Sequence, residues 1–92
     1  MDVRTSQEFK SSRLPHAIHI PFKDLAKRMN ELPQDKTQPV LIYDTVGSRS
    51  LQAGLMLSHH GYKDIYNLAG GIRAWSAQQK PLEKSPSPPE TR

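Results

Sequence analysis

The residues best placed to do chemistry stand in one short stretch, Tyr43-Asp44-Thr45-Val46-Gly47-Ser48-Arg49. Gly47 can take a positive φ, which lets successive backbone N–H groups turn toward one point at the start of a helix. Arg49 brings a planar fork of donors suited to an anion. Such a loop is built to hold negative charge, and Asp44 supplies one from within the chain. Two readings of Asp44 follow: a carboxylate nucleophile or acid/base group, or a permanent occupant of the loop that accepts its N–H bonds. Charge-assisted bonds of that kind contribute roughly 1.5–3 kcal/mol each, so the structural reading is sufficient by itself. An aspartyl-phosphate chemistry would want Mg²⁺ and a second nearby carboxylate, which Thr45, Val46 and Gly47 do not provide. Arg49 is expected to order the loop and pair with Asp44 rather than to bind substrate.

This loop needs a strand before it and a helix after it. Val40-Leu41-Ile42-Tyr43, behind Pro39, reads as a strand buried on both faces, and α/β proteins put their sites at the carboxyl ends of such strands. Ser50 to His60 reads as the following helix, ended by Gly61, with His59-His60 favourably placed at its negative end. Upstream, Met1 to Arg4 reads as the end of a strand, and Thr5-Ser6-Gln7-Glu8 as a capping box for a helical turn carrying Phe9. Ala17 to Ile20 is a brief strand stopped by Pro21. Leu25, Met29 and Leu32 fall at helical spacing, so Phe22 to Leu32 is expected to be an amphipathic helix ended by Pro33. Downstream, Ile65 to Leu68 is a strand, Gly70-Gly71 a sharp turn, and Ile72 to Gln79 a last helix with Trp75 in the core. Strands alternating with helices predict an α/β fold, a mainly parallel sheet flanked by helices.

The 92 residues, 35% hydrophobic and 24% charged, allow one small domain. Residues 1–80 are assigned to it. Residues 81–92 hold four prolines, two Ser-Pro pairs and one apolar residue, Leu82, and are expected to be a disordered tail. The net charge of +4 is scattered, with only Lys27-Arg28 adjacent, which speaks against a nucleic-acid or membrane footprint. Without a long apolar run or a signal-like start, the expected location is cytoplasmic. His16 and His19 have no third ligand near them in sequence, so no metal and no cofactor is expected. The absence of cysteine removes any disulfide, thiolate metal site or thiol nucleophile.

Four stretches, taken in series, resemble rhodanese-like domains. Tyr43-Asp44 with its Gly-containing loop ending in Arg49-Ser50 is similar to the family's Tyr-Cys active-site loop. Asp2-Val3-Arg4 followed by Glu8-Phe9 resembles the early D-V-R-x-x-x-E-[FY] motif, and Pro15, Ala17-Ile18 and Ile20-Pro21 its G-H-I-P-G-A-I-N-I-P segment. Gly61-Tyr62, Asn67-Leu68-Ala69-Gly70-Gly71-Ile72 and Ala74-Trp75 are similar to its closing G-[YF] and N-L-x-G-G-I-x-A-W. The resemblance implies a small rhodanese-like fold that here lacks the family's first strand. It also puts Asp44 at the position of the catalytic cysteine, with Ser12, Arg13 and His16 in place of the family's Gly, His and Gly. Active members carry sulfur as a persulfide, which needs a polarisable thiolate. The implied function is therefore a domain inactive in sulfur transfer that acts as a binding or regulatory module, with weak small-anion binding at most. The alternative is a sulfurtransferase-family enzyme with an altered or engineered loop. The absent strand predicts a sheet edge open to a protein partner or a second copy of the chain.

Overall fold

The computed structural model describes residues 1–84. In chain order it has α1 (Ser6–Ser11), β1 (Val40–Ile42), α2 (Ser48–His59), β2 (Ile65–Asn67) and α3 (Gly71–Ala77), with two 3₁₀ turns at Phe22–Lys27 and Met29–Glu31. The strands β1 and β2 run parallel, with Val40 opposite Ile65, Leu41 opposite Tyr66 and Ile42 opposite Asn67. The first residues extend the same layer, because Asp2 bridges in parallel to His19 on one side and to Tyr43 on the other. Spatially the order is thus His19, Asp2, β1, β2. Among the described residues β2 pairs only with β1, so its other edge carries no strand.

Side-chain alternation along a strand sends β1 to two different cores. Val40 and Ile42 join Val3, Ile20, Leu25, Ala53 and Leu57 beneath α2. Tyr43 points the other way, to Leu14 and Ile72. Leu41 shares Tyr43's face yet is 43% exposed, so the strand is not buried on both faces as its run of apolar residues predicts. The seven-residue α3 brings Ile72 against Tyr43, and Leu41 lies outside that cluster.

The segment from Phe22 to Leu32 departs further from expectation. It is not one α-helix but two 3₁₀ turns broken at Arg28, whose backbone has φ −115° and ψ 17°. Leu25 and Leu32 are still buried, since apolar spacing of three to four residues suits either helix type. The break is held by Arg28, which donates to the His19 carbonyl at 3.1 Å and forms an ion pair with Glu31 at 2.7 Å.

The expected boundary at residue 80 also shifts. Glu83 exchanges backbone bonds of 2.8 and 2.7 Å with Arg13, and Leu82 packs on the cluster of Leu14, Tyr43 and Ile72. The half-buried Trp75 donates to the Pro81 carbonyl at 2.7 Å, at the margin of that cluster rather than within it. The packing of Leu82, the one apolar residue of the expected tail, and the Glu83 backbone bonds together make residues 81–84 part of the domain. The remainder of that tail, 85–92, lies outside the described residues. No helix among the described residues is long and apolar enough to cross a membrane.

Candidate functional site

Three backbone segments meet behind the β1 carboxyl end. Asp2 and Arg4 form a buried pair, with Arg4 Nη2 at 2.7 Å from Asp2 Oδ2 and a further bond of 2.5 Å to the Ser12 carbonyl. The Val3 amide donates to the Tyr43 carbonyl at 3.2 Å, which fixes the first segment beside β1. The Tyr43 hydroxyl accepts the Leu14 amide at 3.1 Å, and burial pushes its pKa above the ordinary tyrosine value. Asp44 therefore leaves the strand from a backbone that is held on both sides.

The chain then turns through Gly47, at φ 115°, to start α2. Glycine suits this conformation because a Cβ would be strained there. Helix starts leave amide groups without intrahelical partners, and here the Asp44 carboxylate takes them. Its Oδ1 accepts the Gly47 N–H; its Oδ2 accepts the Arg49 N–H at 2.6 Å and the Ser50 N–H at 3.3 Å. The Ser50 hydroxyl lies 3.4 Å from Oδ1 and donates to Asn67 Oδ1 at 2.6 Å, tying β2 to the same point. With 1% of its surface exposed, Asp44 fills the convergence of donors that the loop creates. A carboxylate at a helix N-terminus is also favoured by the helix dipole.

The other side of the loop rests on α3. Ile72 N–H donates to the Asp44 carbonyl at 2.9 Å and Arg73 N–H to the Thr45 carbonyl at 3.1 Å. Gly70 and Gly71 both have positive φ, as their sequence predicts. At Gly71 the requirement is also steric, because a Cβ would fall 2.4 Å from the Thr45 carbonyl oxygen.

Arg49 makes the expected ion pair with Asp44, but only at the long distance of 3.7 Å between its Nε and Oδ2. The two terminal nitrogens of Arg49 grip Glu8 more closely, at 3.0 and 3.2 Å. Thr45 adds a third member, since its hydroxyl donates to Glu8 Oε2 at 3.0 Å and accepts from Arg49 Nη2 at 3.3 Å. The Arg49 guanidinium lowers the Glu8 pKa to about 2, and Glu8 in turn raises that of Arg49. Glu8 is the site residue that sequence reasoning missed. Its sequence signals are the capping box of α1, which is present through Thr5, and the Glu-Phe of the early family motif; neither names Arg49 as its partner.

Of the remaining loop residues, Val46 is 50% exposed at the tip and Ser48 opens α2. His16 and His19 do not come together on a ligand. His19 stacks on Phe9 with ring centroids 4.4 Å apart and contacts the Arg4 carbonyl, while His16 takes a left-handed φ of 61°. Among the described residues no group of His, Asp and Glu is arranged to hold a metal ion.

The family model described as "Rhodanese-like domain" matches residues 1–78. The chain belongs to the rhodanese-like domain family. This rhodanese-like domain is 38% identical to a protein named "Sulfurtransferase" from Allochromatium vinosum, over 89% of this chain and 75% of that protein. It is also 38% identical to "Uncharacterized protein YqhL" from Bacillus subtilis, of whose length it spans 62%. A solved structure described as "rhodanese with anions from E. coli" superposes with a TM-score of 0.77 at 30% identity, over 91% of this chain and 94% of that one. The small α/β fold with a parallel sheet flanked by helices is thus that of rhodanese domains.

Proposed function

We propose that this rhodanese-like domain does not transfer sulfur and acts as a binding or regulatory module. The observation that carries the reading is the Asp44 carboxylate lodged on the Gly47, Arg49 and Ser50 amides. By resemblance this is where active members hold a cysteine, and the amides that would steady a thiolate or persulfide are already engaged. The chain has no cysteine to accept sulfur elsewhere. A carboxylate cannot form the S–S bond that persulfide chemistry requires.

The competing reading, a sulfurtransferase-type enzyme with an altered loop, draws on the name of the Allochromatium relative. It leaves the nucleophile unassigned. The β2 edge that carries no strand among the described residues adds to the binding reading, because an unpaired strand offers backbone donors and acceptors to another chain. A thiosulfate:cyanide assay of this chain beside Asp44→Cys tests the proposal. The unmodified chain is expected to show no turnover and no persulfide by mass spectrometry, and the folded variant to gain measurable turnover. Turnover by the unmodified chain above a no-protein control would overturn it.

A further inference from the structure

A cleft of about 540 Å³ stands beside the filled loop. Its floor is apolar, formed by the buried Val3 and Pro21 and the half-buried Phe22. Arg49 contributes one wall, but its terminal nitrogens are spent on Glu8. The rim is different. Lys23 and Asp24 both line the cleft; among the described residues neither side chain makes a hydrogen bond or ion pair, and Asp24 also faces the charge of Arg28 four positions on. The Ser6 hydroxyl and the Gln7 amide line it from the α1 side and are equally unspent among those residues.

Pockets of roughly 300–1,000 Å³ with an apolar lining and a few convergent polar groups are the usual size and make-up of small-ligand sites. Besides Thr5, whose hydroxyl is engaged with Glu8, and Arg49, whose charge is paired with Glu8, the polar groups comprise one cation, one anion and two neutral hydrogen-bonding groups. A simple anion matches only Lys23 and is repelled by Asp24; a simple cation meets the reverse. A ligand with an apolar body and both charges satisfies the whole rim. We infer that this cleft binds an apolar α-amino acid, its carboxylate facing Lys23, its ammonium facing Asp24 and its side chain on Phe22 and Pro21. The inference rests on the binding-module reading and gives that module a ligand class.

The test is an amide NMR titration of the full unmodified chain with phenylalanine, N-acetylphenylalanine and phenylalaninamide. Phenylalanine is expected to shift the amides of Ser6, Gln7, Phe22, Lys23 and Asp24 saturably in the millimolar range. Each blocked probe should bind about threefold more weakly, the scale of one exposed ion pair. Asp24→Asn should erase the difference between phenylalanine and N-acetylphenylalanine, and Lys23→Gln that between phenylalanine and phenylalaninamide. Tighter binding of the dipeptide Phe-Ala than of phenylalanine would assign the ligand to a peptide end, and weaker binding to the free amino acid; both outcomes support the site. Absence of saturable shifts, or equal binding of all three probes, would overturn it while leaving the filled-loop reading intact. Sulfur transfer by the unmodified chain would remove that reading without altering this titration.

Discussion

Arg49 grips Glu8, a residue 41 positions away, through bonds of 3.0 and 3.2 Å, while its Nε stands 3.7 Å from the much nearer Asp44. The division is chemical. Asp44 already accepts backbone N–H bonds on both oxygens, whereas Glu8 turns one oxygen to each terminal nitrogen of Arg49 alongside its bonds from Thr5 and Thr45. A bidentate fork then joins α1 to the first turn of α2 across the mouth of the loop.

The Glu8 pairing should make stability depend on acid pH. The Glu8 pKa is about 2 in the folded chain against an ordinary 4.5, so its contribution is fully present above pH 4.5 and is lost as pH falls toward 2. The side chain is 34% exposed, and solvent screening limits the contribution to about 1 kcal/mol. Glu8→Gln keeps the capping-box acceptor but removes the charge. Urea unfolding should show it about 1 kcal/mol less stable at pH 6, with a gap that shrinks steadily below pH 4.5. A gap unchanged down to pH 3 would contradict the assignment.

Gly71 carries the contact between α3 and the loop. Its φ is 62°, and a Cβ there would lie 2.4 Å from one carbonyl oxygen and 2.5 Å from another. Gly71→Ala is expected to cost about 2 kcal/mol or more, from backbone strain plus displacement of the loop. Gly47→Ala shares the positive φ, but nothing lies within 4 Å of its Cβ, so it should cost about half as much. Thermal unfolding of the two variants checks the order, and equal losses would show that the steric contact is relaxed.

These residues also mark what could be read from the chain alone. The Thr5-Glu8 box and the occupation of the loop by Asp44 depend on residues a few positions apart, and local geometry decides them. The partner of Arg49 depends on α1 being brought to α2 by the Asp2 bridges to His19 and Tyr43, which no local pattern encodes. The same applies to Leu41, which stays 43% exposed on the face where Tyr43 is covered by Ile72, a residue of the distant α3. The spacing of Leu25, Met29 and Leu32 specified which residues are buried without separating an α-helix from 3₁₀ turns. The break between the two turns falls at Arg28, whose side chain reaches back to the His19 carbonyl. Composition alone does not place residues 81–84, because Leu82 packing and the backbone bonds of Glu83 with Arg13 anchor them together.

The central claim is that the loop is filled by its own carboxylate, and anion binding tests it most directly. A second unit charge about 4 Å from Asp44 meets repulsion on the order of 4 kcal/mol at an effective dielectric near 20, roughly a thousandfold in affinity. Arg49 cannot offset much of this while Glu8 holds it. Amide NMR titration of Thr45 to Arg49 with sulfate and thiosulfate should therefore show binding only at millimolar concentrations or worse. In Asp44→Ala, with its fold confirmed by the same spectra, binding should be distinctly tighter and should centre on the Gly47 and Arg49 amides that Asp44 releases. Tight, saturable binding by the unmodified loop, or no gain in the variant, would contradict the account.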